Sequence, residues 1–261
     1  MKKTILICVL CVFLCSCTSQ GSPSTERTLP TVTEYDNTKI GWGFRKIKNC
    51  PPEVPDNIKE MLGMYDSYYV GDTTKKQLYL TFDEGYENGY TAKILDVLKK
   101  TKTPAAFFVT GQYIKEQPEL VKRMYEEGHI VGNHSVNHPS LPDIDDEKLK
   151  AEITGLNDMY KQLTGQDMKY LRPPRGEFSE RTLALTQKLG YKNIFWSSAY
   201  VDWDVNNQKG VQNAIDKTVS QFHNGNIILL HAVSKDNADA LESIINEAKA
   251  QGYTFLNLDN L

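Results

Sequence analysis

Disulfide chemistry has little to work with in this chain. Four of its five cysteines, Cys8, Cys11, Cys15 and Cys17, fall in the first seventeen residues, and only Cys50 lies further along. Once that leader is removed no internal disulfide can form. Stability must then come from a hydrophobic core, which a chain of 261 residues is long enough to build. Cys50 has no histidine near it in sequence, which favours a packed or inert thiol over a nucleophile. Charge of one sign is also missing. Thirty Lys and Arg against 33 Asp and Glu leave a formal charge of −3, so nucleic acid is not an expected partner. The N-terminal apolar run, Ile5 to Leu14, has ten residues, well short of the roughly 20 that a membrane helix needs.

That short run sits in a telling context. Met1-Lys2-Lys3 precedes it, and the small, polar "CSCTSQGSPS" follows. This is the layout of a secretory signal peptide over residues 1–17. "LCSC", Leu14 to Cys17, resembles the bacterial lipobox. The expectation is an exported protein on the outer face of a bacterial membrane, held there through its leader or a lipid on Cys17. A leader without lipid is the alternative. Residues 18–34, rich in Ser, Thr, Pro and Gly, read as a flexible tether. Residues 35–75 show little periodicity and read as an N-terminal extension wrapping a domain at 76–261.

From Gln77 a rhythm sets in. The apolar runs "QLYLTF", "AAFFV", "HIVGN", "KYLR", "NIFWSS", "NIILLH" and "YTFLNL" read as strands. Helical stretches separate them at 91–100, 117–127, 145–164, 179–189, 209–222 and 237–251. In the last, Leu241, Ile244, Ile245 and Ala248 recur at helical spacing before Gly252. Seven strands separated by six helices imply an α/β fold with a parallel sheet covered on both faces. The expected form is a closed or nearly closed (β/α) barrel of about seven parallel strands, with an open doubly wound sheet second.

In such folds chemistry gathers at the C-terminal strand ends. Asp83, Glu84, His134, Arg172, Asp202 and His231 each fall at such an end. Singly, each has a plain reading. Asp83-Glu84 reads as a helix cap, His134 and His138 as surface histidines, Arg172 as a buried ion pair, and Asp202-Trp203 as a surface acid beside a core aromatic. His231 reads as a core-edge histidine. Together they are more telling, because three of only five histidines fall where the acids and the arginine also lie. Two histidines at a four-residue spacing and a carboxylate make a three-ligand metal site with room for water. A second carboxylate can take that water's proton, and a further histidine can protonate a leaving group. This is the inventory for metal-assisted hydrolysis of an acyl group.

In order, "TFDEG", "HSVNH", "RPPRG", "VDW" and "LLH" resemble the motifs of the polysaccharide deacetylases of NodB-homology type, carbohydrate esterase family four. The resemblance runs from about Leu78 to Leu261 and implies a deformed (β/α) barrel. Three longer stretches, "YLTFDEGYENGYT", "IVGNHSVNHPSL" and "LRPPRGEFSERTL", are similar to the branch of muramic acid de-N-acetylases that leads to δ-lactam in spore cortex peptidoglycan.

By that resemblance Asp83 is the catalytic base, and Glu84, His134 and His138 hold a divalent metal, zinc first with cobalt or manganese as alternatives. His231 is the general acid, Asp202 orients it, and Arg172 pairs with Asp83. The backbone N–H of Arg175 stabilises the oxyanion, and Trp203 and Leu229 shape an apolar slot for the acetyl methyl. Three departures stand out: Glu84 where the family usually has Asp, Ala199 where an Asp often opens the fourth motif, and Arg175 where Tyr is usual. The implied substrate is a peptidoglycan glycan strand, stripped of peptide by an upstream amidase, because a stem peptide on the lactyl carboxyl blocks lactam closure. The competing readings are a deacetylase of peptidoglycan N-acetylglucosamine or chitin oligomers, a xylan O-acetyl esterase, and a non-catalytic glycan-binding surface lipoprotein.

Overall fold

The alternation of apolar residues within the first predicted strand decides most of the architecture. The computed structural model describes residues 35–261. The expected leader, Cys17 and the tether lie outside the described residues. In chain order the elements are β1 (Ile40–Gly41), β2 (Arg45–Ile47), β3 (Cys50–Glu53), α1 (Asp56–Met64), β4 (Ser67–Tyr68), β5 (Gln77–Glu84), α2 (Thr91–Thr101), β6 (Ala106–Val109), α3 (Gly111–Glu116), α4 (Pro118–Glu126) and β7 (Ile130–Asn133). There follow α5 (Asp146–Thr164), β8 (Tyr170–Leu171), β9 (Glu177–Phe178), α6 (Glu180–Lys188), β10 (Lys192–Ile194), α7 (Val211–Val219), β11 (Asn226–His231), α8 (Lys235–Ala250) and β12 (Thr254–Phe255). Each of the seven strands expected from sequence is present. Among the described residues, none of the helices is long and apolar enough to cross a membrane.

The sheet runs β11-β5-β6-β7-β8-β10-β4, with β12 beside the start of β5, and all these pairings are parallel. It curls into a barrel. The chain beyond β10 reaches back to β11 through a parallel bridge, Ser198 to Ile228. The Ser197 N–H donates to the Ile227 carbonyl at 2.9 Å, and the Leu229 N–H to that of Ser198 at 2.9 Å. The curled form therefore replaces the open doubly wound alternative.

Side chains on a strand alternate between faces. On β5, Leu78, Leu80 and Phe82 pack outward into the helix layer, while Tyr79 packs inward with Phe108, Tyr170, Ile194 and Ile227. The outer layer is completed by residues such as Leu241, Ile244 and Ile245 of α8, all fully buried. Each contributes about 1.5–3 kcal/mol of transfer free energy.

Register then sets the rim. His231 on β11 lies directly opposite Asp83 on β5, and Glu84 pairs with Val109, which pairs with Asn133. Asn133 also pairs with Leu171. His134 and Arg172 are each one residue beyond that row.

Residues 35–75 contain more order than their composition suggests. β4 joins the barrel sheet beside β10, and β2 and β3 form a hairpin. β1 pairs antiparallel with β9. The Trp42 N–H donates to the Gly176 carbonyl at 2.8 Å, and its indole N–H to that of Trp196 at 3.0 Å. Leu62 of α1 is buried in a small cluster with Phe178, Leu183 and Phe195.

Candidate active site

Asp83 is 8% exposed and ends the inward face of β5. Its Oδ1 accepts from Nη1 of Arg172 at 2.7 Å. Its Oδ2 faces Nε2 of His134 at 3.4 Å. Burial alone would raise the Asp83 pKa. The Arg172 guanidinium, helped by His134 and His231, outweighs that and holds it below its ordinary value. Asp83 is therefore ionised at neutral pH, with one oxygen committed and the other open to a proton.

Arg172 organises two groups at once. It is fully buried. Its guanidinium also donates to the Thr81 hydroxyl at 2.8 Å and the Ile194 carbonyl at 3.0 Å, and lies 4.2 Å from the Phe108 ring centroid. Its own carbonyl sits 2.8 Å from Nδ1 of His134. A carbonyl can only accept, so Nδ1 carries the proton and Nε2 presents a lone pair.

That lone pair meets Nε2 of His138 at 3.1 Å. The four-residue spacing is realised by a loop, not by the helical turn that the spacing suggests. Ser135 and His138 both have positive φ, and the Ser135 hydroxyl accepts from the His138 N–H at 2.9 Å. Burial, the neighbouring His134, and Arg175 and His231 together hold His138 down at about 4. Burial also lowers His134. Both rings are neutral at pH 7, the state a metal requires.

Glu84 does not join them. It falls on the outward face with Leu78, Leu80 and Phe82 and is fully buried there. One carboxyl oxygen is 3.5 Å from the Thr91 hydroxyl, and the other has no hydrogen-bond partner among the described residues. Burial, with Glu87 and Asp83 nearby, raises its pKa well above the carboxylate range. Among the described residues no three His, Cys, Asp or Glu side chains are grouped to hold a metal ion. The three-ligand set of Glu84, His134 and His138 is thus corrected. The imidazole pair fits a divalent metal, and Glu84 does not.

On the neighbouring strand β11, His231 donates through Nδ1 to Oδ1 of Asp202 at 2.7 Å. Burial would lower the His231 pKa. The hydrogen bond and charge of Asp202 overcome this and raise it, with Asp83 adding to the effect. The remaining ring nitrogen belongs to a side chain that lines the cavity. The result is a carboxylate held ionised facing an imidazole biased toward its charged form.

The cavity that both line measures about 850 Å³. Asp83, His134, His138, Arg175, Trp203, Leu229 and His231 all line it, while Arg172 and Asp202 are buried behind it. Leu229 is buried in its wall, whereas Trp203 is 59% exposed and offers a flat face at the rim. Arg175 is exposed on a turn with φ of 59°. That turn is tight because Gly176 at φ 67° has no room for a side chain, a Cβ there lying 2.9 Å from the Trp196 ring. Trp196, Tyr86 and Tyr200 also line the cavity and were not singled out from sequence. Trp196, within an apolar run, reads as core, and Tyr86 and Tyr200 lie in loops that carry no period; only the fold brings the three to one cavity.

A carboxylate held ionised beside an imidazole biased toward its charged form, both lining one cavity, is the arrangement of a hydrolase. The chain belongs to the polysaccharide deacetylase family, whose model matches residues 70–194, and to carbohydrate esterase family 4. It is 46% identical over 263 residues to the peptidoglycan-N-acetylmuramic acid deacetylase PdaA of Bacillus subtilis (strain 168), covering 100% of this chain and 96% of that one. The solved structure of that Bacillus subtilis PdaA, a family 4 carbohydrate esterase, superposes with a TM-score of 0.85 at 49% identity, covering 87% of this chain and 97% of the other. An uncharacterized 30.6 kDa protein of Geobacillus stearothermophilus is 57% identical over 233 residues, 88% of each chain.

Proposed function

We propose that this deacetylase removes the N-acetyl group from N-acetylmuramic acid in peptidoglycan, the freed amine then closing to muramic δ-lactam in spore cortex. The observation that carries the reading is the Asp83–Arg172 pair set opposite the Asp202–His231 pair, with a cationic Arg175 at the mouth of the same cavity. The similarity to a named N-acetylmuramic acid deacetylase supports it.

Asp83, through its open Oδ2, takes a proton from water as the oxygen adds to the acetyl carbonyl carbon. Leu229 bounds the acetyl methyl, and the Arg175 N–H serves the developing oxyanion, a role worth about 3 kcal/mol in comparable sites. The tetrahedral adduct collapses, the C–N bond breaks, and His231 delivers its proton to the departing nitrogen. Acetate and a free amine result. A divalent metal on His134 and His138, zinc first with cobalt or manganese as alternatives, would supply Lewis acidity toward water and carbonyl oxygen.

The lactam needs a free lactyl carboxyl, so an amidase acts first on the same strand. We place the protein outside a bacterial membrane, on the cortex side in a spore former, exported by residues 1–17 and anchored by a lipid on Cys17.

Mass spectrometry of glycan strands tests the reading, using peptide-stripped peptidoglycan and chitin oligomers, with and without chelator. Acetyl loss followed by water loss on muramic acid, abolished by chelator, is expected. Acetyl loss on chitin alone would reassign the substrate, and activity insensitive to chelator would remove the metal.

Arg175 gives a sharper test. An exposed guanidinium facing a carboxylate contributes a charge-assisted hydrogen bond. Arg175→Tyr should lower kcat/KM on muramic acid roughly 3–10-fold more than on N-acetylglucosamine. Any strain from the positive φ affects both substrates alike, so equal losses would refute a role in substrate choice.

A further inference from the structure

Asp202 holds its position through a closed ring of polar groups from α8 and the preceding loop. Its Oδ2 accepts from the His231 backbone N–H at 2.8 Å and from Nδ2 of Asn237 at 2.5 Å. Asn237 is 1% exposed, in the first turn of α8. Its Oδ1 accepts from the Tyr200 hydroxyl. Its own N–H donates to the Ser234 hydroxyl at 3.1 Å. That hydroxyl donates to Oε1 of Gln208 at 2.7 Å, and Nε2 of Gln208 donates to the Asp202 carbonyl at 3.0 Å. The amide orientation follows from chemistry. A carboxylate can only accept and the Tyr200 hydroxyl donates, so the NH₂ must face Asp202.

We propose that Asn237, set in place by Tyr200, is a positioning residue for the general acid: it fixes the Asp202 carboxylate on Nδ1 of His231. This rests on the deacetylase reading for its catalytic meaning, but the geometry stands without it. Among the described residues Asn237 is the one side-chain donor to Oδ2, and without it only the His231 backbone N–H remains there, in an enclosed site. The carboxylate can then rotate away from the ring. Losing a charge-assisted bond of this kind weakens the bias toward imidazolium.

Other charges face His231 as well. Asp83 on β5 favours its protonation, while Arg172 after β8 opposes it. His134 and His138 in the loop after β7 also interact with it. None of these touches Asn237, so the variants below leave them in place.

The experiment follows the His231 ring by NMR titration in the full-length protein, for wild type, Asn237→Ala and Tyr200→Phe, alongside pH profiles of kcat and kcat/KM. In Asn237→Ala the His231 midpoint should move down by about one unit. The alkaline limb of kcat/KM should follow it, giving about tenfold lower activity there and little change at acid pH, where His231 is protonated in both proteins. Tyr200→Phe should shift the same way by less. A purely structural role would lower the active fraction equally at all pH. An unmoved His231 midpoint in a folded variant overturns the proposal. If Asn237→Ala does not fold, Tyr200→Phe reads the same quantity. If the wild type releases acetate from no glycan, the deacetylase reading falls while the titration still decides the positioning role.

Discussion

Asp83→Asn is expected to lower kcat by about 10²–10⁴-fold, the usual worth of a general base, with KM little changed. The amide keeps the shape of the side chain. Its oxygen can still accept from Nη1 of Arg172, which donates to Oδ1 at 2.7 Å in the wild type. What goes is the basicity of the open Oδ2. Arg172 is meanwhile left as a buried cation without its counter-charge, so some stability is lost too. The two effects separate cleanly. Steady-state rates normalised to folded protein read the first, and chemical denaturation reads the second. A folded variant with rates within threefold of wild type would show that another group takes the water's proton.

Arg172→Ala is expected to cost about 3–5 kcal/mol of folding stability, the range found when one partner of a buried ion pair is removed. Thr81 and the Ile194 carbonyl lose their donors in the same step. The pH dependence gives the loss a distinctive form. In the wild-type fold Asp83 titrates below its unfolded value of about 3.9. Its ionisation therefore stabilises the fold above that value, and the gain disappears as pH falls through the folded one. In the variant only the two histidines oppose burial, and the Asp83 pKa rises. Ionised Asp83 then works against the fold at neutral pH. The gap between the two proteins should be widest near neutrality and narrow as pH drops below the ordinary carboxylate range. Denaturation curves at several pH values check this; a gap independent of pH would mean that packing, not charge, dominates. Arg172→Lys should recover part of the stability but not the three separate donors that reach Asp83, Thr81 and the Ile194 carbonyl.

The barrel was legible because its strands are short, apolar and separated by helices of clear period. Leu241, Ile244 and Ile245 fall where the pattern puts them. The site was legible because polar residues at strand ends have few other reasons to recur. Glu84 was misread for a simple reason: it was treated as lying past the strand, where alternation no longer applies. β5 in fact continues to Glu84, paired with Val109, so Asp83 and Glu84 must face opposite ways. Local sequence does not show where pairing stops. Asn237 was missed because a polar residue in a helix's first turn reads as a cap; only the fold brings Asp202 against it. β4 and β1 escaped because two-residue strands carry no period, and their pairing partners lie more than a hundred residues away.

The pairing of β1 with β9 divides labour in this enzyme. The turn that carries Arg175 is gripped from outside by Ile40, Gly41 and Trp42, residues that precede the stretch matched by the family model. The proposed base and acid, Asp83 and His231, stand on the barrel strands β5 and β11. A chain trimmed to residue 70 would lose this outer grip on the Arg175 turn together with β4, a strand of the barrel sheet itself. If Arg175 selects the substrate as proposed, changes near residue 40 reach it through the backbone of its turn, and the upstream arm acts as a tuning peg for that choice.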